Sequence, residues 1–203
     1  MIQAAAPALI LASESASRRE LLQSAGIEFA TRPAHIDEIS VKQSAQSAGT
    51  TAANTAILLA ELKAARVSAR TGDAVVIGAD QILVCDGVWF DKPASPAEAR
   101  EHLLRLRGRM HMLVTGIVCM RNGTRVWHHV AQPRLTMRAF SDAFLDDYIA
   151  VEGEALMQTV GAYRLEGRGV HLFDRIEGEH AAILGLPLLP LFGFLRQHGV
   201  LGS

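Results

Sequence analysis

The sequence predicts an α/β protein, a mixed twisted sheet with flanking helices, in a single domain over residues 1–203. Three observations carry that expectation. Ala74 to Ala79, AVVIGA, is a near-continuous apolar run of the kind that forms a strand buried on both faces. Helical periodicity recurs in separate stretches along the chain. Extended segments are joined by Asp86-Gly87 and Asn122-Gly123, dipeptides suited to tight hairpins. Buried strands, helices and hairpins in this mixture give a mixed sheet.

In chain order, Leu9 to Ser13 reads as a buried strand that stops at serines and two arginines. Ser17 and Glu20 have the S-x-x-E spacing of a capping box, which starts a helix at Ser17. Leu21, Leu22 and Ala25 form its apolar stripe, and Gly26 ends it. A second helix covers Asn54 to Arg70, with Ile57, Leu58, Leu62 and Ala65 at helical spacing, and Thr71-Gly72-Asp73 closes it. The strand that begins at Ala74 continues through Gln81 to Cys85 and turns at Asp86-Gly87. Ser95-Pro96 opens a helix whose buried face is Ala99, Leu103 and Leu106. Met110 to Met120 and Thr124 to Met137 read as two long strands. Ser141 caps a short helix to Ala150, Val170 to Ile176 is a strand, and a helix runs from Pro187. No repeat, low-complexity tract or linker interrupts the series.

With 203 residues, 49% of them apolar, the chain can bury a sizeable core. Its formal net charge of −1 provides no electrostatic footprint for a nucleic acid polymer or an anionic membrane. A bound polyanion would be small and met by a local cluster. No run approaches the ~18 apolar residues of a membrane span. Cys85 and Cys119 sit in apolar runs and read as buried reduced thiols. The opening MIQAAAPALILASESAS resembles a secretory leader only superficially. No Lys or Arg precedes its apolar part, and Pro7 interrupts it, so a cytoplasmic protein is expected.

Charge that breaks the apolar pattern marks the candidate site. Arg18 precedes Leu21, Leu22 and Ala25 by three, four and seven residues, so it lies on the buried stripe of its own helix. Arg19 lies on the solvent side. A guanidinium turned inward at a helix N-terminus opposes the macrodipole and calls for an anion. That anion is either an internal carboxylate or a phosphate, which the free N–H groups of the first turn also favour. Asp80 ends the AVVIGA run at the carboxyl end of a buried strand, where α/β proteins bind ligands, without any turn following it. The hairpin at Asp86-Gly87 would carry Lys92 back towards Asp80. Lys63 lies on an Ala- and Leu-rich helix, where a solvated face is the plain alternative. Asp37 and Glu38 fall in a polar loop. Separated cations (Arg18, Lys63, Lys92) and acids (Glu38, Asp80) suit a magnesium-bound nucleotide, since Mg²⁺ takes one or two carboxylates with phosphate oxygens and water.

Other chemistries are set aside. Neither G-x-x-x-x-G-K-[ST] nor G-x-G-x-x-G is present, and there is no G-x-S-x-G. His128 and His129 are adjacent in a strand and point to opposite faces, so they cannot share a metal. His111 and Thr115 could serve a site, although a strand histidine is more often structural.

The blocks LILASESASRRELLQSAGIEF, IDE, ELKA, VIGADQILVCDG, DKPASPAEAREHLLRLRGRMHMLVTG, GAYRLEG and RIEGEHAAILGLPLLPL resemble the Maf family, also called septum-formation-inhibitor-like proteins. They cover nearly the whole chain in family order. The resemblance implies a fold related to the inosine triphosphate pyrophosphatases, with two lobes around a cleft. It also implies a cytosolic nucleoside triphosphate pyrophosphatase that cleaves the α–β phosphoanhydride with a divalent cation, Mg²⁺ or Mn²⁺. Asp80 matches the proton acceptor of G-[AS]-D and would share the metal with Glu38. Arg18 matches the arginine of the S-x-x-R turn, where Ser13 would also meet substrate. Lys63 and Lys92 match the lysines of the cleft. Family members often form dimers, so a homodimer is an expectation.

Three positions in the family go with base choice. Members acting on dTTP and UTP show Arg, Thr and Gln where this chain has Ser17, Gln81 and Glu166. Gln81 and Glu166 instead match the branch acting on 7-methyl-GTP. A carboxylate would offset the positive charge of 7-methylguanine, and an amide can pair with a base edge. That branch usually has Trp where Ser17 stands, and serine cannot stack on a cationic base. The alternatives are a dTTP/UTP pyrophosphatase, and a nucleotide-binding regulator of cell division without essential turnover.

Overall fold

The apolar AVVIGA run folds as the first half of β3 (Val75–Cys85) in a computed structural model that describes residues 2–202. With β1 (Leu9–Leu11), β2 (Ala30–Thr31), β4 (Val88–Phe90), β5 (Met110–Arg121), β6 (Thr124–Ala131), β7 (Arg134–Met137) and β8 (Phe173–Glu177), it builds an eight-stranded sheet. The order is β2-β1-β3-β5-β7-β8, with β4 on β3 and β6 on β5. β1 pairs in parallel with β2 and β3, whereas β3–β4, β5–β6, β5–β7 and β7–β8 are antiparallel. The sheet is therefore mixed, as the sequence predicts.

The chain separates into two compact units, with boundaries inside β3 after Asp80 and inside β5 before Thr115. The first holds the chain up to Asp80, Thr115–Ala131 and the chain from Glu179 onward. Its helices are α1 (Ala16–Ser24), α2 (Glu38–Ser47), α3 (Ala52–Ser68), α6 (His180–Ile183) and α7 (Leu188–Gln197). Strand alternation divides its core. Leu9, Leu11, Val75 and Ile77 pack with Leu22, Leu191, Phe194 and Leu195. Ile10, Ala12 and Val76 pack with Ala60, Ala64 and Val67 of α3. Each such leucine or isoleucine removed from water contributes about 1.5–3 kcal/mol.

α3 sits directly on the sheet. A Cβ at Gly78 would lie 2.0 Å from the Ala60 carbonyl oxygen, and one at Gly116 would lie 2.5 Å from the Ala56 carbonyl carbon. Glycine there lets the helix backbone touch β3 and β5.

The second unit holds Gln81–Val114 and Gln132–Gly178, with α4 (Pro96–Leu106) and α5 (Asp142–Glu152). Ser95 caps α4 by accepting from the Glu98 N–H, Pro96 takes the first turn, and Ala99, Leu103 and Leu106 are buried. His111 Nε2 lies 2.8 Å from the Tyr163 hydroxyl, with Phe173 against both rings.

Several expectations need correction. The cap of α1 is Ser15, which accepts from the Arg18 N–H, and Ser17 lies inside the helix. Residues 38–47 form α2 rather than a loop, with Asp37 capping it through the Ser40 N–H. The buried face of α3 is Thr55, Ala56, Leu59, Ala60, Lys63, Ala64, Val67 and Ser68, while Leu58 and Leu62 are exposed. The predicted strand 124–137 splits into β6 and β7, because Pro133 has no N–H to continue the ladder. The strand expected from Val170 begins only at Phe173, after a 3₁₀ segment, Arg168–Leu172. Cys85 and Cys119 are free and buried. Among the described residues, no helix is long and apolar enough to cross a membrane.

Candidate active site

The site grows out of strand register in the first unit. β1 runs parallel to β3 with Leu11 opposite Ile77, and the Ala12 N–H donates to the Ile77 carbonyl at 2.8 Å. The Ser13–Arg18 turn therefore leaves β1 at the same end at which β3 reaches Asp80. This is the carboxyl end of the parallel strands, the ligand side of open α/β sheets.

Side-chain alternation then places α3. Gly78 and Asp80 share a face of β3. Because α3 rests on Gly78 through Ala60 and Ala64, Lys63 of the same helix face reaches Asp80. Lys63 Nζ donates to Asp80 Oδ1 at 2.6 Å and lies 2.7 Å from Glu38 Oε1. Lys63 is only 7% exposed and Asp80 4%, so the solvated-face reading of Lys63 is wrong. Its neighbours are alanines, and the small side chains hide how close the helix lies to the sheet. The ammonium clamps two carboxylates from separate elements. Asp80 Oδ2 is buried and has no hydrogen-bond partner among the described residues. A buried acceptor left open in this way carries a desolvation penalty of about 1–3 kcal/mol.

Arg18 is buried, as the sequence predicts. Its Nε donates to the Gly185 carbonyl at 2.8 Å and its Nη1 to Ser13 Oγ at 3.1 Å. Among the described residues neutral oxygens hold the guanidinium, and the carboxylates of Asp80 and Glu38 act on it through charge. Burial pulls its pKa below the usual value, and the charges of Asp80 and Glu38 pull it back up. Burial also pushes the Glu38 carboxyl upward, but Lys63, by charge and hydrogen bond, with Lys42 and Arg18 behind it, outweighs that and leaves it below its usual value. The formal charges of Arg18, Lys63, Glu38 and Asp80 cancel. Arg18 and Asp80 thus interact through charge within one unit.

The remaining candidates lie apart in kind. Ser17 is a half-buried helix residue. Lys92, Gln81 and Glu166 belong to the second unit. Lys92 is exposed, two residues beyond Phe90, which pairs with Leu83 across the β3–β4 hairpin. Glu166 lies beside Arg164, its Oε1 3.4 Å from Nε. Sequence reasoning does not reach two contributors. The Gly185 carbonyl and the Glu179 carboxylate gave no signal in the pattern, although a glycine ahead of Leu186-Pro187 hints at an unusual turn. Thr115, weighed with His111 as able to serve a site, donates its Oγ1–H to the Ala182 carbonyl at 3.1 Å.

The Maf-like protein family model matches residues 8–198. The chain belongs to this family. Among its relatives, a nucleoside triphosphate pyrophosphatase of Granulibacter bethesdensis is 58% identical over 95% of this chain and 98% of the relative. One with the same name from Rhodospirillum rubrum is 50% identical over the full length of both chains. A 7-methyl-GTP pyrophosphatase of Rhizobium meliloti is 47% identical over 97% of this Maf-like chain and 99% of its own. A solved lipoprotein, GNA1162 from Neisseria meningitidis, aligns at 15% identity over 75% of this chain and all of its own, with a TM-score of 0.26, and carries no argument.

Proposed function

We propose that this Maf-like protein is a nucleoside triphosphate pyrophosphatase that splits the α–β phosphoanhydride into a nucleoside monophosphate and pyrophosphate. One observation carries the reading: Lys63 joins the carboxylates of Glu38 and Asp80 beside a buried Arg18, while Asp80 Oδ2 stays open. An ion pair serving stability alone would leave the desolvation cost of that oxygen unmet.

In this mechanism Asp80 Oδ2 accepts a proton from water, whose oxygen bonds to the α-phosphorus as the bond to the bridging oxygen breaks. Pyrophosphate leaves with the electron pair. The Lys63 hydrogen bond to Oδ1 leaves Oδ2 as the oxygen that receives the proton. Arg18 and Lys63 offset charge gathering on the phosphoryl oxygens, the main electrostatic share of such catalysis. Ser13, already bonded to Arg18, orients the guanidinium against the phosphates.

The site's own charges cancel, so a triphosphate needs further positive charge. The carboxylates of the partly open Glu38 and of Asp80 are oxygen donors of the type that Mg²⁺ and Mn²⁺ take, with Glu38 the one free to bind the cation while Asp80 Oδ2 serves as base. Such a cation, when bound, supplies polarisation of the phosphoryl oxygens.

Lys92 at the leaving group, and Gln81, Glu166 and Ser17 at the base, are assigned on the resemblance. Gln81 and Glu166 favour 7-methyl-GTP over dTTP and UTP. Two buried free thiols suit work in the cytoplasm. The test is pyrophosphate release from a panel of triphosphates, 7-methyl-GTP, GTP, dTTP and UTP among them, with Mg²⁺ and with Mn²⁺. Release is expected with at least one substrate, fastest with 7-methyl-GTP. Failure with every substrate and both metals would overturn the proposal.

A further inference from the structure

We propose that Glu179 is a positioning residue that sets the direction of the Arg18 guanidinium by closing the loop of residues 179–188; this rests on the functional reading above. Three side-chain bonds tie that loop. Glu179 Oε1 accepts from the backbone N–H groups of Leu188, at 3.0 Å, and Leu189, at 3.1 Å, so one carboxylate oxygen joins the start of the loop to the first turn of α7. Thr115 Oγ1, fully buried on β5, donates to the Ala182 carbonyl at 3.1 Å. That carbonyl also accepts from the Gly185 N–H at 3.1 Å. The Gly185 carbonyl is the product of these constraints, and it takes the Arg18 Nε–H at 2.8 Å.

Gly185 itself shows how closely the loop addresses the arginine. Its φ is +94°, in the region that favours glycine, and a Cβ there would lie 3.1 Å from Arg18 Nε and 3.4 Å from Nη2. The guanidinium thus rests against the loop backbone with no side chain between. With Nε fixed on Gly185 and Nη1 on Ser13, its plane is set, and the rest of the fork is directed by the loop. A guanidinium that binds phosphate through a planar fork is sensitive to such rotation, as an ammonium is not.

The test is a double-mutant cycle on the full-length protein, read as kcat/KM for the best triphosphate. Glu179→Ala is expected to lower it about tenfold, since a displacement of about 1 Å can lose up to about a hundredfold. Glu179→Gln, which keeps an acceptor oxygen for both N–H groups, should restore most of that loss. In the Arg18→Ala background, assayed at high enzyme concentration, Glu179→Ala should change kcat/KM by less than about twofold, because residues acting through one another are not additive. A purely structural cap would lower kcat/KM by the same factor in both backgrounds, and that result overturns the inference while leaving the pyrophosphatase reading intact. Should Glu179→Ala not fold, Thr115→Val, which removes the bond to Ala182, takes its place in the cycle with the same two outcomes. Binding of inorganic pyrophosphate, measured by calorimetry, supplies a readout that does not need turnover. It should weaken on Glu179→Ala only where Arg18 is present, and equal weakening in both backgrounds counts against the inference.

Discussion

Both units bury a polar cluster, and they do so by opposite means. In the first, Lys63, Glu38 and Asp80 are bonded as charges, and an oxygen of Asp80 remains unanswered. In the second, His111 sits against the Tyr163 hydroxyl among aromatic rings, and burial lowers its pKa from 6.5 to about 4. The histidine escapes the penalty of burial by giving up its proton; the carboxylates meet it by recruiting an ammonium. Replacing a buried ion pair by packed apolar groups is often neutral or stabilising, so such a pair is weak evidence for a role in stability. The charged cluster is the one that needs a functional explanation; in the neutral one His111 Nδ1 also lacks a hydrogen-bond partner among the described residues, but it carries no charge to be met.

The largest expected effect tests the charged side of that contrast. Asp80→Asn keeps the shape and removes the base, so pyrophosphate release should fall by about 10³-fold or more while nucleotide binding survives. Wild-type turnover in this variant would refute the role given to Asp80. Next comes Lys63→Met, which leaves two carboxylates without their shared cation. Urea denaturation should show a loss of about 3 kcal/mol, as when one partner of a buried pair is removed. Turnover should drop about a hundredfold with it. A variant as stable as the parent would mean that the clamp is looser than its distances imply.

The neutral cluster makes its own prediction through pH. Because the folded His111 pKa lies below 6.5, the unfolded chain takes up a proton that the folded chain refuses as acid is added. Its contribution is complete above about pH 6.5 and is lost towards about pH 4, amounting to about 2 kcal/mol between about pH 7.5 and 5. His111→Gln should remove that slope without altering turnover, and an unchanged pH dependence of unfolding would show that the ring is not the titrating group. The smallest effect is at Glu166, partly open and beside Arg164. Glu166→Gln should lower the preference for 7-methyl-GTP over GTP by about two- to fivefold, the scale of an exposed charge interaction. An unaltered ratio would detach base choice from this carboxylate.

Arg18 and Asp80 were legible because each breaks an apolar pattern, and a charge inside such a pattern can be found by counting. The parallel register of β1 and β3, which brings them together, was not legible, since short buried strands carry no pairing code. The contact face of α3 is hidden for a related reason. Leu58 and Leu62 suggested a buried stripe, whereas the true contact face is built of alanines chosen for closeness. α2 escaped notice because its residues, EISVKQSAQS, are mostly polar and only Ala45 is buried. The partner of Arg18 could not be found by residue type at all, because the acceptor at Gly185 is a main-chain oxygen that every residue possesses. The loop gave itself away only in three dimensions.

The bare contact of α3 with the strands at Gly78 and Gly116 has a mechanical corollary. A helix seated without a spacer has only one height, so the length of the lysine stem acts as a fixed gauge between rail and rider. Adding a single methyl at Gly78 would lift the rider and draw its charged tip off the acid two residues along. Chemistry at that acid is thus calibrated from beneath, by an atom that is not there.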